Sequence, residues 1–395
     1  MPGKGDRPVS VPADSAEQIA FDHYSPEFGA DPYAAFRKFR ESPPVYSTEH
    51  GGMWIVTRYD DVLAVARDHG AFSSALSNGG ILIPGKTSRE LPQEADPPDS
   101  VAYRNLLNAY FSPSAAAWRE TRMREIASEQ LDEFIGAGHC DLRRQFSVPY
   151  MERMTYELVG FPLDRMPRAQ ARLSPFEDHE ADIPRLTALI DDVLADARAG
   201  YGSGLTAMLL DCEIDGRKLN DQELHDILRN VHNGGVHTVT DSLSNILVYL
   251  AEHPADFQRL TDDTGLRSRA IEEFLRWRSP VMALARTAVK DVNLGGAQLR
   301  AGDRVLIFWG SANHDEREFA QPEEVVLDRR PNRHIAFGSG IHRCLGSNIA
   351  RSAITVALDL WLERVTALRV TRARHSDNAG ITYGWLEVDL EFTAR

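Results

Sequence analysis

The sequence predicts a mainly α-helical fold with a small β part, built as a single domain. Two observations support this prediction. Stretches with the apolar spacing of helices fill most of the chain, and strand-like pieces cluster at 286–308. No linker rich in Pro, Gly or Ser divides the sequence, and its 395 residues, 43% of them hydrophobic, suffice to bury one large core.

The predicted elements follow one another in a simple order. Helices are expected at 30–41, 59–68, 99–111, 114–136 and 267–277, with a short strand at 53–56. The Gly- and Pro-bearing stretch 75–98 is expected to be a long loop. Prolines spread through 162–184 predict short helices joined by loops in that region.

The most clearly marked helix starts near Asn220. Asn220 followed three residues later by Glu223 is a capping-box pattern, apolar residues then recur at helical spacing, and Pro254 ends the helix. At more than 30 residues, this helix is long for a globular protein. A last strong helix is predicted over 344–361, after an irregular region rich in Gly and Pro between 295 and 344.

Composition argues against several classes of protein. The net charge of −14 disfavours general nucleic-acid binding, which needs a basic surface. The polar N-terminus lacks the pattern of a signal peptide, and no window approaches the roughly 18 apolar residues of a membrane span. We therefore expect a soluble, cytoplasmic protein with no membrane partner. Cys140, Cys212 and Cys344 are far apart and odd in number, which disfavours disulfides and fits a reducing compartment.

The most informative segment is FGSGIHRCLG, residues 337–346. Here a cysteine enters a predicted helix directly after a Gly-rich loop, where backbone N–H groups and the positive helix end favour the thiolate that binds metal. Gly338 and Gly340 allow the backbone to turn, and Gly346 allows close approach to a flat partner. A lone cysteine is more often a small core residue, and we expect this of Cys140 and Cys212.

The segment resembles the haem-binding loop of the cytochrome P-450 family, F-x-x-G-x-x-x-C-x-G, at each fixed position. Other segments resemble the family's landmarks in the family's order, and the likeness runs from Tyr33 to about Val370. They are Asp96–Arg104 (D-P-P-x-H-x-x-x-R), Gly234–Thr238 (A-G-x-(D/E)-T), Glu273–Arg276 (E-x-x-R) and Ser311–Asp315 (S-A-N-R-D).

The resemblance implies a cytochrome P-450 fold over 21–395 behind a flexible N-terminal segment, 1–20. It also implies a haem b cofactor, iron protoporphyrin IX, with Cys344 as the axial ligand of the metal. Arg286, His342 and Arg104 match residues that bind the anionic haem propionates. Contacts with the cofactor are further implied for Phe337, Gly338, Gly346 and Gly235, and a buried network that supports the haem loop for Glu273 and Arg276 with Arg329.

Thr238 and His237 are the candidate catalytic residues, because they match the family's oxygen-binding segment. His237 stands where the family has an acid that helps to deliver protons. An imidazole can also relay protons; the two alternatives are that His237 packs against a neighbouring helix and that Asp241, one turn further on, serves as the relay. Ser100 replaces a propionate-binding histidine of the family, so one haem anchor is missing or replaced.

Gly234 and Gly235 lie within this long helix, where each glycine costs roughly 1 kcal/mol relative to Ala. Close helix packing could explain them. With the other motifs present, a bulge that makes room for dioxygen is the expectation.

The implied function is a monooxygenase that inserts one atom of O2 into a small apolar organic substrate, aromatic or natural-product in type. The pocket is expected to draw on the 75–92 loop, the 170–184 region, 231–238, 281–285 and 382–385, with Ile81, Ile83, Val281, Met282 and Trp385 as apolar lining. Electrons are expected from a ferredoxin and its ferredoxin reductase, guided to a basic patch of Arg104, Arg343 and Arg351.

Three alternatives remain open. A peroxygenase, or a haem-dependent isomerase or dehydratase, would keep the same haem site, and His237 in place of an acid favours this class. A haem-binding sensor without catalysis is disfavoured by Thr238 in the oxygen-binding segment.

Overall fold

The computed structural model describes residues 17–76, 79–82, 86, 88–166 and 179–395, with side chains in the last range from residue 184 onward. Helices dominate. They are α1 Pro26–Ala30, α2 Pro32–Glu41, α3 Tyr59–Arg67, α4 Asp99–Asn108, α5 Pro113–Asp132, α6 Val148–Val159, α7 His179–Asp196, α8 Gly204–Asp211, α9 Asp221–Glu252, α10 Pro254–Asp262, α11 Thr264–Trp277, α12 Trp309–Ala312 and α13 Ser347–Arg364. Within these ranges no helix combines the length and the apolar character that crossing a membrane requires.

The strands are short and grouped into small sheets. They are β1 Gln18–Ile19, β2 Val45–Ser47, β3 Met53–Val56, β4 Phe72–Ser73, β5 His139–Asp141, β6 Glu213–Ile214, β7 Arg217–Lys218, β8 Ala283–Ala288, β9 Val292–Leu294, β10 Ala297–Leu299, β11 Arg304–Phe308, β12 Val365–His375 and β13 Trp385–Ala394. The largest sheet has the order β1-β2-β3-β11-β8-β4, and a second has the order β12-β13-β5.

The six-stranded sheet is buried along its centre. In β11, Leu306 lies opposite Ile55 of the parallel strand β3 and Ala285 of the antiparallel strand β8, and all three side chains are buried. A strand buried on both faces carries a continuous apolar run, which explains VLIF in β11. This sheet carries β8 and its Arg286 to the edge of the functional cavity.

Helix α9 crosses the centre of the molecule and packs against α6 and α13. The predicted capping box is confirmed: the Asn220 side chain accepts from Glu223 N at 2.9 Å, and the Glu223 carboxylate accepts from Asn220 N at 2.8 Å. From Val239 to Leu250 every residue is buried. Several of the polar ones have partners; Ser242 and Ser244, for example, donate to the carbonyls four residues earlier at 2.8 Å.

The predicted Glu273–Arg276 pair is confirmed as a fully buried, two-pronged ion pair, with both N···O distances 2.8 Å. Arg329 joins it, and its Nε lies 2.9 Å from Glu273 Oε2. Arg276 also donates to three backbone carbonyls, those of Asn313, Pro322 and Glu324, at 2.7 to 2.9 Å. Helix α11 is thereby joined to the irregular chain that leads to the 337–346 segment.

Most of the helices and strands named from the sequence are present with ends shifted by a few residues, and the predicted start of the last helix is wrong. Gln18–Ile19, inside the segment 1–20 that is predicted to be flexible, form β1 and pair in parallel with β2; residues 1–16 lie outside the described residues, so the flexibility of the segment stays a prediction. The last helix begins at Ser347, not at residue 344, because the Cys344 N–H donates to Phe337 O at 2.8 Å instead of joining a helical ladder.

The sequence pattern did not predict some of these elements. The hairpin of β12 and β13 was not predicted, because much of β12 is exposed and its apolar residues are few. Most of the 162–184 region lies outside the described residues, but helix α7 continues through Pro184.

Candidate active site

One cavity brings together the chemistry predicted from distant parts of the sequence. It contains about 2520 Å³ of space free of protein atoms, part of it open to solvent. The candidate site residues from the sequence all line it: Arg104, Gly235, His237, Thr238, Arg286, Phe337, Gly338, His342, Cys344 and Gly346.

The 337–346 segment forms a tight loop against the cavity. Gly338 and Gly340 have φ values of +70° and +71°, which side chains rarely adopt, and a Cβ at Gly340 would collide with the Ala66 carbonyl. The bond from Cys344 N to Phe337 O closes the loop. The accessible surface of Cys344 faces the cavity, and an added Cβ at Gly346 would meet nothing within 4 Å. The loop therefore presents a thiol beside open space.

The charge state of Cys344 depends on opposing effects. Burial raises the pKa of its thiol, whereas the Gly346 N–H and the charges of Arg104, Arg343 and Arg351 act to lower it. Metal binding to the sulfur would further favour the thiolate, because the thiolate is the form that ligates.

Arg286 and Arg104 lie in the cavity together with the neutral imidazole of His342, and we call these three residues the cationic group after its two arginines. Arg286 is 2% exposed and donates to its neighbour's carbonyl, Ala285 O, at 2.7 Å. Neither ring nitrogen of His342 has a hydrogen-bond partner. Among the described residues, no carboxylate lies within ion-pair distance of Arg286 or Arg104. Burial lowers the pKa of Arg286 to about 10 and that of His342 to about 3. These donors fit the carboxylates of a haem.

Ser100 does not line the cavity. It is fully buried, and its hydroxyl has no hydrogen-bond partner. It lies one helical turn before Arg104 on α4, so this helix offers one anchor to the cavity instead of the two that the family pattern has.

The second side of the site is α9. Thr238 Oγ1 donates to Gly234 O at 2.8 Å, and both Thr238 and His237 line the cavity. An added Cβ at Gly234 would meet nothing within 4 Å, whereas one at Gly235 would lie 2.8 Å from Thr155 Oγ1 of α6. The expected bulge is wrong, because α9 is continuous here. Gly235 instead permits the close helix packing that was the alternative, and Gly234 is the glycine with open space beside it.

The Asp241 side chain does not line the cavity, which argues against Asp241 as the alternative proton relay proposed from the sequence. Its Oδ1 lies 2.6 Å from Arg143 Nη1, and both side chains are buried. Burial raises the pKa of Asp241, while Arg143 acts to lower it. The pair joins α9 to the turn before α6 and is part of the core.

The apolar lining expected from the sequence is present in part. Ile81 and Val281 line the cavity. Met282 and Trp385 do not: Met282 packs against Tyr33 and Gly310, and Trp385 donates to Asn245 Oδ1 at 2.9 Å. Ile83 lies outside the described residues, as does most of the 170–184 region.

The predicted basic patch is reduced to one arginine. Arg104 lies in the cavity. Arg351 makes a two-pronged ion pair with Glu272, at 2.6 and 2.8 Å, and its guanidinium carbon lies 4.3 Å from the Phe337 ring centroid. Burial acts to raise the pKa of Glu272, but Arg351 and His334 outweigh it and hold that pKa at about 2. Arg343 is exposed, with no ion pair to any described residue.

Several residues that line the cavity were not predicted from the sequence. Glu90, Arg229 and Asn233 add a polar end to the cavity, and Trp309 packs beside Gly338. The polar ones carry no sequence signal, because polar side chains outside a recognised motif are usually solvated.

Comparisons with known proteins agree with this geometry. The Cytochrome P450 family model matches residues 266–376. Over 348 residues, the chain is 31% identical to YjiB of Bacillus subtilis, which carries the same family name, with 83% of this chain and 85% of the relative covered.

A further relative and a solved structure extend the likeness. The Steroid C26-monooxygenase of Mycolicibacterium smegmatis is 30% identical, over 85% of this chain and 86% of the relative. The structure of CYP109Q5 from Chondromyces apiculatus superimposes with a TM-score of 0.85 at 28% identity, over 96% and 99% of the two chains. The chain therefore belongs to the cytochrome P450 family, and it is a haem-thiolate monooxygenase.

Proposed function

We propose that this cytochrome P450 inserts one atom of O2 into a largely apolar organic substrate and receives electrons from a separate ferredoxin and ferredoxin reductase. The observation that carries the proposal is that Cys344, the cationic group of Arg286, His342 and Arg104, and the Thr238 hydroxyl share one cavity. When bound, haem supplies the redox chemistry, and the protein supplies orientation and a dry pocket. In this proposal Cys344 ligates the iron and the cationic group binds the propionates.

The substrate end of the cavity is mainly apolar. Burying an apolar substrate there is favourable by about 25 cal/mol per Å² of apolar surface removed from water, so the pocket favours hydrophobic substrates. The steroid named for the M. smegmatis relative is a compound of this kind. Described residues of this lining are Ile81, Met154, Leu158, Leu186, Val231, Val281 and Ile381.

Thr238 and His237 are proposed to handle protons. Because the Thr238 O–H is committed to Gly234 O, its oxygen remains free to accept a hydrogen bond from a water or another proton-bearing group in the cavity. His237 precedes it on α9, so the two side chains point about 100° apart around the helix axis. We propose that His237 connects the Thr238 site with bulk water, since imidazole can take up and release protons near neutral pH.

We expect turnover of apolar substrates to require ferredoxin, its reductase and O2. Haem-loaded protein would be incubated with a panel of steroids and aromatic compounds under ¹⁸O2, and products analysed by mass spectrometry. One ¹⁸O atom per product is the expected result, with no product when ferredoxin is omitted. Turnover by hydrogen peroxide alone, or a rearranged product without new oxygen, would instead support the peroxygenase or isomerase alternative.

Replacing Thr238 by Ala should uncouple the enzyme: reductant consumption continues while peroxide replaces most of the product. Thr238→Ser, which keeps the hydroxyl, is the matched control and should stay coupled. His237→Ala should slow the proton-dependent step several-fold and increase its solvent isotope effect, and His237→Asp should restore both. If His237→Ala leaves rate, coupling and isotope effect unchanged, His237 is a packing residue.

The electron donor is proposed to dock near Arg343. In a chain of net charge −14, an exposed arginine next to Cys344 in sequence would attract an acidic ferredoxin. Arg351 is a poor test of this idea, because reversing its charge would also break its ion pair with Glu272.

Arg343→Glu should therefore slow reduction by ferredoxin several-fold at low salt, and the difference should shrink at high salt because exposed charges are screened. Stopped-flow reduction measures this directly. The control is Lys38→Glu, an equal charge change on α2, which contributes no described residue to the cavity. An equal effect of both variants, or no salt dependence, would remove Arg343 from the docking site.

A further inference from the structure

Glu90 is a buried carboxyl group at the polar end of the cavity. It is 4% exposed and lines the cavity. Its Oε1 is 3.5 Å from Asn233 Nδ2, a long contact, and its Oε2 has no hydrogen-bond partner. A buried polar oxygen without a partner is costly, so it points to a ligand that completes it.

The charges around Glu90 leave it without a partner. Three carboxylates, Glu90, Glu94 and Asp226, lie among two cations, Lys86 and Arg229. Lys86 pairs with Glu94, and both side chains are buried. Arg229 Nη1 lies 3.3 Å from Asp226 Oδ1.

Among the described residues, no cation lies within ion-pair distance of Glu90. Arg89 acts on Asp226 but is exposed, and Arg286 and Arg304 act on Glu94. The Glu90 carboxyl group is therefore left without an ion-pair partner in the described part of the chain.

The position of Glu90 is fixed by its surroundings. Its N–H donates to Glu94 Oε2 at 2.9 Å, and its carbonyl accepts from Glu94 N at 2.8 Å. The next residue is tied to α9, because Asn230 Nδ2 donates to Leu91 O at 2.9 Å. These hydrogen bonds fix the loop that carries Glu90 beside α9, the helix that carries Thr238.

We propose that Glu90 binds the cationic end of the substrate, a protonated nitrogen group carried on an otherwise apolar body. The substrate cation supplies the partner that Glu90 Oε2 lacks, and the apolar lining holds the rest of the molecule. This inference rests on the proposed function, since it names the substrate class of the same cavity.

The proposal also implies a pH dependence. Burial raises the pKa of Glu90 to about 8, so below that pH a bound cation must displace a proton from the carboxyl group. Affinity for cations should then rise with pH up to about 8 and level off above it.

Three probes with one phenylpropyl body test the proposal: 3-phenylpropylguanidinium, the neutral isostere 3-phenylpropylurea, and the anion 4-phenylbutyrate. Calorimetric titration of the haem-loaded protein at pH 8.5 gives their affinities without electrons or O2. The wild type should bind the guanidinium roughly tenfold or more tightly than the urea, as expected for a charge pair in a partly dry site. In Glu90→Gln, which keeps the shape, the two affinities should become nearly equal.

Glu133→Gln is the control, since it removes an exposed carboxylate at the end of α5 and should keep the wild-type preference. Equal binding of guanidinium and urea by the wild type overturns the proposal, as does tighter binding of phenylbutyrate, which would make Arg229 the anchor. A preference that survives Glu90→Gln overturns it as well. Because binding is measured without turnover, these results do not bear on the proposed reaction or its electron supply, which the ¹⁸O2 experiment tests separately.

Discussion

The buried ion pair between Glu273 and Arg276 is the interaction on which the rest of the site depends. Arg276 holds the Asn313 carbonyl, the Asn313 side chain accepts from Ile335 N at 2.8 Å, and the chain then enters the loop that the Cys344–Phe337 bond closes. Removing one partner of such a pair leaves a buried charge uncompensated, which typically costs about 3–5 kcal/mol. The same contacts that stabilise α11 therefore position the sulfur of Cys344.

The opposite wall of the cavity is rigid for a different reason. Helix α9 is buried along much of its length, and several of its polar residues have partners within the core, Asp241 with Arg143 among them. Gly235 lets α9 approach Thr155 of α6 closely, while Gly234 keeps open space beside Thr238. The candidate reactive groups therefore lie on two elements that buried contacts hold in place, the 337–346 loop and α9. The loop that bears Glu90 is tied to α9 by hydrogen bonds, and this is the part of the wall where we place substrate selection.

Apolar spacing predicted the mainly helical fold and the long helix, because these depend on local patterns. The residues of the cationic group were implied by the resemblance to the cytochrome P450 family, through its landmarks along the chain. Ion pairs between residues far apart in the sequence were not predicted. Nothing near Arg143 or Asp241 in the sequence indicates that they meet, and the same holds for Arg351 and Glu272. The Gly234–Gly235 pair shows a second limit: a pattern locates both glycines, but only packing decides which one faces a neighbouring helix.

We propose that Cys344 would ligate the iron of a bound haem. The absorption spectrum of the reduced protein in carbon monoxide tests it most directly, because a thiolate ligand shifts the main band strongly to the red. We predict this shifted band for the wild type and for Cys212→Ala, and its loss in Cys344→Ala. A wild-type spectrum like that of a histidine-ligated haem, or a shifted band that persists in Cys344→Ala, would contradict the account.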